Sequence, residues 1–258
     1  MTATAPMTAS VERPAFPSYA RKPRRARPQW RRAWHALRTL LDDPDATQNA
    51  FEVIAALEPD QMERGLATTL AHPEGRRLFL ERPQLLGRLC DREALAALPE
   101  GSFGRAYLAH IERFGLDPAK LVMLDRGYQG EMGTAGECER WFAERMALSH
   151  DLWHVLTGYG ADGYGETALL WFTHGLSGGL GIGFLMLGAG SRSSGGAGRG
   201  WWLYLLRAWR RGRRAGCLSA LPYERLLALP LAEVRRIAGV EPPEQVHPEG
   251  VRVEGPDA

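Results

Sequence analysis

An all-α fold is predicted for this 258-residue chain on three observations. Apolar residues recur at helical spacing, not in alternation. No run of alternating β-branched residues is long enough to build a sheet. Glycine and proline punctuate the apolar stretches where helices end. With 45% apolar residues the chain can bury the core of one large domain. The expected layout is a disordered basic N-terminal tail over residues 1–29, a single domain of packed helices over 30–240, and a flexible C-terminal tail over 241–258.

The first 29 residues are rich in Thr, Ala, Pro and Arg, a composition that cannot bury enough apolar surface to offset ordering. Order is expected from WRRAWHALRTLL onward. In DDPDATQNAFEVIAALEPD, Asp43 before Pro44 reads as an N-cap followed by a first-turn proline, and Phe51, Ile54 and Leu57 form the apolar stripe. Short helical patterns follow in DQMERGLATTLA, PEGRRLFLERP and DREALAAL. In GSFGRAYLAHIERFG, Tyr107, Ile111 and Phe114 fall at i, i+4 and i+7. The longest pattern is ECERWFAERMALSHDLWHVLTG, ended by Gly158. A glycine-punctuated loop, GYGADGYG, leads into ETALLWFTHGLSGGLGIGFLMLGAG. After a flexible SRSSGGAGRG come WWLYLLRAWRRGRRAG, PYERLLAL and PLAEVRRIAGV, and a closing segment rich in Pro, Glu and Val reads as frayed.

Net charge is only +2, but its distribution is uneven. From Arg13 to Leu41 nine basic residues occur without an acid, and from Thr167 to Tyr223 there is again no Asp or Glu. Two basic, acid-free zones in a nearly neutral chain suggest a surface that faces something anionic. No nucleic-acid-binding module is recognisable, so nucleic acid is not the expected partner. Cys90, Cys138 and Cys217 are scattered and odd in number, which argues against a disulfide scaffold or a cysteine zinc site and fits a reducing compartment. The N-terminus lacks the apolar core of a signal peptide, and its prolines suit a mitochondrial transit helix poorly. A bacterial-type cytoplasmic chain is expected.

The stretch HDLWHVLTGYGADGYGE, His150 to Glu166, concentrates the chemistry. At 100° per residue His150, His154 and Asp151 lie at roughly 0°, 40° and 100° around a helix, with the imidazoles one turn apart. A helix presents two nitrogen ligands to one metal in this way. Glu166 opens the next helix, and Gly158, Gly160, Gly163 and Gly165 permit the reversal that returns it to the same point. Two histidines with one or two carboxylates make a first shell with room for water or substrate. The other reading of the same residues is a helix with one satisfied histidine and solvated acids. A zinc hydrolase is disfavoured, because aspartate is one methylene shorter than the general-base glutamate of HExxH.

His150, Asp151, His154 and, after eleven intervening residues, Glu166 resemble the signature of the ubiquinone biosynthesis family founded by the fourth yeast coenzyme-Q protein. DDPDATQNAFEVIAAL, HPEGRRLFLERPQL, LPEGSFGRAYLAHIERFGLDP and HDLWHVLTGYGADGYGETALLWF follow the family's order, so the resemblance covers about residues 35 to 230. It implies an all-α, often dimeric, peripheral membrane protein of ubiquinone formation, built around a two-helix metal-binding core. It further implies zinc binding, an organising role among the other biosynthetic enzymes, and removal of the C1 carboxylate from a polyprenylated 4-hydroxybenzoate-derived ring with hydroxylation of that carbon. The ligands it implies are His150, Asp151, His154 and Glu166. The alternative is a non-catalytic lipid-binding scaffold around a structural zinc. Zinc is the expected metal; Fe(II) in a two-histidine, one-carboxylate face could also activate O₂, whereas zinc serves as Lewis acid and template. Asp151, further round the helix, could instead orient His154 or act as a base. The implied location is the cytoplasmic face of a bacterial inner membrane, or the matrix side of the mitochondrial one.

Two segments bear on lipid. TALLWFTHGLSGGLGIGFLMLGAG carries no formal charge, but its histidine and glycines argue against a span. It reads as a core helix, or as one in which Gly178, Gly179, Gly181 and Gly183 leave a groove for a polyprenyl tail. WWLYLLRAWRRGRRAG reads as an interfacial helix, with Trp201, Trp202 and Trp209 offering indoles and Arg207, Arg210 and Arg211 offering cations to anionic headgroups. Its alternative is a helix docked by its aromatics with a solvated basic face.

Overall fold

The structure is a computed structural model that describes residues 27–43, 46, 48–123 and 136–253. Among these no β-strand occurs; one isolated bridge joins Ser102 to Pro230. The all-α expectation holds. Helices α1 (Trp30–Asp42), α2 (Gln48–Leu57), α3 (Gln61–Ala71), α4 (Pro73–Glu81), α5 (Leu85–Cys90), α6 (Arg92–Ala96) and α7 (Phe103–Phe114) lead to the long α8 (Glu137–Thr157). After it come α9 (Gly163–Ser177), α10 (Leu180–Ser193), α11 (Trp201–Arg214), a 3-10 turn at Leu218–Ala220, α12 (Tyr223–Leu226), α13 (Leu231–Ala238) and α14 (Pro243–Val246).

The main core gathers the apolar faces of α7, α8, α9 and α11, including Phe103, Leu152, Leu156, Phe172, Trp201 and Tyr204. A smaller core joins α1 and α2 to Leu185 of α10, and a third joins Leu66 and Phe79 to Phe142 of α8. Helices α9 and α11 cross backbone to backbone. A Cβ on Gly175 would lie 2.1 Å from the Trp209 carbonyl oxygen, and one on Gly212 2.0 Å from that of Phe172. Only glycine permits this approach, which locks α9 in place from its far side.

Three expectations are corrected. The helix expected to follow Asp43 directly does not: Asp43 ends α1, donating its N–H to the Thr39 carbonyl, Ala46 is not helical, and the next helix starts at Gln48. Pro44, expected in its first turn, lies outside the described residues. The apolar segment after Glu166 is two helices, because Gly178 and Gly179 take φ of 69° and 105°, a region that side-chain-bearing residues rarely enter. The C-terminal segment is not frayed as far as residue 253. His247 is 1% exposed, its Nε2 pairs with the Tyr159 hydroxyl at 2.9 Å, and Arg252 donates to the carbonyls of Ala197 and Arg199. Polar anchors, not apolar ones, hold it, so a search for apolar periodicity passes over it. At the other end Gln29 is already anchored, its N–H donating to the Ala56 carbonyl at 2.8 Å; residues 1–26 of the expected tail lie outside the described residues.

Candidate metal centre

Helix α8 ends just past its histidines, and every carbonyl of its last turn is used. Gly158, in the left-handed conformation, donates its N–H to the His154 carbonyl. Arg235 of α13 donates to the carbonyls of Val155 and Leu156, at 3.3 and 2.9 Å. Arg211 of α11 donates to that of Thr157 at 2.7 Å. Two guanidinium groups thus meet the negative end of the helix dipole and satisfy oxygens that helix geometry leaves over. The return loop is equally fixed. Asp162 Oδ1 accepts the N–H groups of Tyr164 and Gly165 at 3.0 and 3.1 Å and starts α9. A Cβ on Gly165 would meet the Gly160 carbonyl oxygen at 1.9 Å. Glu166 then lies in the first turn of α9, where a carboxylate is favoured by the dipole.

This hairpin brings His150, His154 and Glu166 together, each offering a ligand atom within 4.8 Å of the others. The Nε2 atoms of His150 and His154 are 3.1 Å apart. Glu166 Oε1 lies 3.1 Å from His154 Nε2, and Oε2 lies 3.4 Å from His150 Nε2. A cation bound at ~2.0–2.2 Å to three such atoms would space them by about 3.0–3.5 Å, so the donor set fits a divalent metal in size and chemistry. The backbone carbonyl of Tyr159 lies 3.1 Å from His154 Nδ1. A carbonyl only accepts, so Nδ1 carries the proton and Nε2 turns its lone pair to the site, as metal-binding histidines require. The His154 side chain is fully buried, whereas those of His150 and Glu166 are each 42% exposed, so the triad opens to solvent on one side.

The electrostatics agree. Burial would raise the Glu166 carboxyl, but the imidazoles of His154 and His150 outweigh it and hold it well below the usual range. Burial likewise works against a charged His150, and Glu166 overcomes it, so that imidazole is raised. The Glu166 carboxylate thus favours positive charge at the point it shares with the imidazoles.

Asp151 is not part of that group. It is buried at 7% exposure, and burial pushes its carboxyl up against the opposing pull of His150 and His154. The structure places it beside the triad. A residue that sequence reasoning missed is His110 of α7. Its ring stacks on His154, centroids 5.3 Å apart and planes at 22°, and packs against Phe114 at 5.0 Å. Burial and the neighbouring His154 push it down to about 4. The two histidines are 44 positions apart in the chain, and the only hint was the α7 stripe of Tyr107 and Phe114.

The four glycines do not line one wall. Gly178 has open space around its Cβ position, Gly179 abuts the buried Glu58, a Cβ on Gly181 would lie 2.7 Å from the Ile54 Cα, and Gly183 faces His174. They serve a turn and the close packing of α10 on α2 and α9. The residues expected on the membrane side also divide. Trp201 and Arg211 are buried, at 2% and 1% exposure: Trp201 donates its indole N–H to the Gly190 carbonyl, and Arg211 caps α8. Trp209 is half-buried and donates to His174 Nδ1, and Arg207 pairs with Glu249 at 2.7 Å. Trp202 and Arg210 face outward. No helix among the described residues is long and apolar enough to cross a membrane.

Comparison with known proteins gives a consistent picture. The family model described as "Coenzyme Q (ubiquinone) biosynthesis protein Coq4" matches residues 52–244. The ubiquinone biosynthesis protein COQ4 homolog of Danio rerio is 31% identical over 180 residues, 66% of this chain and 61% of the relative. That of Bos taurus is 30% identical over 76% of this chain and 67% of the relative. The COQ4 protein of Pyricularia oryzae is 29% identical over 80% and 66%. All three are named as mitochondrial proteins, and the chain spans about two thirds of their length or less. A solved structure of a protein described in connection with ubiquinone biosynthesis, from Nostoc punctiforme, superposes with a TM-score of 0.57 over 82% of this chain and 98% of that one, at 18% identity. That likeness concerns the fold.

Proposed function

The chain belongs to the coenzyme Q (ubiquinone) biosynthesis protein family Coq4, and on that premise we propose that it is a metal-dependent enzyme acting on the ring of a polyprenylated 4-hydroxybenzoate-derived precursor. The reaction is oxidative decarboxylation: the C1 carboxylate leaves as CO₂, that carbon gains a hydroxyl, and O₂ takes up the two electrons, with the net balance ring–COOH + H₂O + O₂ → ring–OH + CO₂ + H₂O₂. The observation that carries the reading is the triad of His150, His154 and Glu166, with donor atoms 3.1–3.4 Å apart and one open side. A bound divalent cation would supply Lewis acidity and a template for carboxylate and phenolate. Zinc is the metal proposed, with Fe(II) the alternative.

The protein's own groups have separable tasks. Tyr159 holds the His154 tautomer through its carbonyl. Arg211 and Arg235 fix the end of α8 and so the spacing of its histidines. Asp151, buried and raised toward neutrality, is the candidate to hold or move a proton beside the ring. A peripheral position on an anionic membrane face, where the polyprenyl tail resides, is supported by outward aromatics. Trp30 and Trp34 of α1 flank Phe184 of α10 at 5.9 and 6.2 Å, Leu187 is exposed, and Trp202 and Leu203 of α11 are exposed beside exposed arginines. The inner membrane, on its cytoplasmic or matrix side, a second copy of the chain and the other biosynthetic enzymes complete the proposed setting.

The test is elemental analysis of anaerobically purified protein beside His154→Ala. About one equivalent of zinc or iron, lost in the variant, is expected; absence of metal from the wild type overturns the reading. Glu166→Ala then separates enzyme from scaffold. An enzyme loses turnover and still assembles, whereas a scaffold around a structural zinc loses folding or partners.

A further inference from the structure

Few buried side-chain polar atoms among the described residues lack a protein partner, and two of them, the Tyr107 hydroxyl and His110 Nε2, lie on one face of α7. Three residues apart on a helix, they project the same way. That face meets the metal hairpin. His110 stacks on His154, and Asp151 is the charged group acting most strongly on Tyr107. Phe114, one further turn along, packs on His110 and reaches Gly160 of the return loop. Arg113, exposed at the same end, lies 5.1 Å above the Phe114 ring. An unpaired buried polar atom is costly, and this seam carries two beside a site that opens to solvent. His110 is outside the group whose ligand atoms converge, so it is not a fourth ligand in this arrangement. Its ring is fixed between two aromatic neighbours and lies within electrostatic reach of all three triad members.

We infer that α7 forms the second wall of the site, with His110 hydrogen-bonding the ligand that meets the triad, an aromatic ring bearing ionised oxygen substituents, and Tyr107 setting the polar floor beneath it. This rests on the reading of the triad as a metal centre for such a ring. His110 is then a ligand-contacting residue, and Arg113 places a cation at the mouth for a carboxylate.

The probe is 3-farnesyl-4-hydroxybenzoate in detergent micelles, titrated calorimetrically into the full-length, metal-loaded protein. His110→Phe keeps the ring between His154 and Phe114 and removes its nitrogens; His110→Gln restores a polar N–H. His110→Phe is expected to keep wild-type metal content and melting temperature while binding the probe about tenfold more weakly, and His110→Gln to recover part of that loss. Wild-type affinity in His110→Phe overturns the inference. So does loss of metal together with affinity, which would make His110 a support of the ligands. If the metal-loaded wild type itself does not bind the probe, the proposed function fails, and this inference with it. That result is visible before any variant is made.

Discussion

Helices α8 and α11 make an instructive pair. Both interleave tryptophans with charged or titratable residues, and both pack against α9. On α8, the polar residues that matter find partners within the same helix or just past the next turn: His150 and His154 are four apart and Glu166 follows. On α11, the decisive polar residue is Arg211, whose partners are carbonyls 54 and 30 positions away in the chain. The first helix spends its histidines on a site that opens to solvent, while its buried Arg145 is a long-range staple to Glu224, 79 positions on. The second spends its most buried one on holding the first helix in place. Similar composition therefore divides into chemistry and support according to where the partners lie, and four measurements bear on that division.

The largest effect is expected at Trp201. It is 2% exposed, stacks on Tyr204 at 5.6 Å and donates to the Gly190 carbonyl. Trp201→Ala leaves a large cavity and an unpaired carbonyl, and urea unfolding should show a loss of about 3–5 kcal/mol. A loss below ~1 kcal/mol would return Trp201 to the surface and undo the contrast between the helices.

Arg211 comes next. In Arg211→Met the Thr157 and Glu241 carbonyls lose their donor, with an expected cost of about 2–4 kcal/mol. Because Thr157 ends the metal-bearing helix, metal affinity should fall as well, by about 10–100-fold, as when a group supporting a ligand is removed. Competition with a chelator reads this directly. A variant that is destabilised yet binds metal as tightly as the wild type would make Arg211 a staple of the fold alone.

The comparison explains what could be read from the chain. The site was legible because His150 and His154 lie on one helix, Gly158 ends that helix, and Asp162 starts the next. Covalent spacing alone returned Glu166 to the histidines. Asp151 was less legible, since its angle round the helix allowed but did not require convergence; it lies buried beside the triad, outside the group whose ligand atoms converge. Trp201 and Arg211 were misread because an amphipathic pattern reports two faces and not which is covered, and in α11 the aromatic and basic faces each contribute to the interior. Asp43 before Pro44 carried a helix-start signal, but Asp43 closes α1 and the next helix begins only at Gln48. His110 and the packed C-terminal segment depend on contacts between segments far apart in sequence. No local pattern encodes those.

That C-terminal segment gives the third measurement. His247 is buried against Tyr159 and Tyr204, and burial, with Arg211 nearby, pushes it from 6.5 down to about 4. A histidine depressed in the folded state binds its proton more readily when unfolded. Stability is therefore full above pH 6.5, falls as pH drops from 6.5 to 4, and levels off below 4. The loss attributable to His247 should be on the order of 1–3 kcal/mol. His247→Gln should flatten the pH dependence of urea unfolding over that window, leaving a residual slope from His110, which is depressed in the same direction. An unchanged slope would mean that the segment opens before His247 titrates, and that its hold on the return loop through Tyr159 is weak.

The smallest stability effect, and the sharpest test of the outer face, is at Trp202. One residue from Trp201, it is 47% exposed, with Leu203 beside it at 49%. Its indole edge meets Trp171 at 6.0 Å, so Trp202→Ala should cost less than ~1 kcal/mol. If this face docks on anionic lipid, the same substitution should reduce sedimentation with phosphatidylglycerol-containing vesicles several-fold, because an interfacial indole contributes apolar area that arginine cannot replace. Binding should also fall as salt rises, since the exposed arginines Arg210, Arg213 and Arg214 act through screened Coulomb attraction. Vesicle binding indifferent to both Trp202 and salt would leave α11 as an internal support alone. The exposed tryptophans of α1 would then be the place to look for the partner of this face.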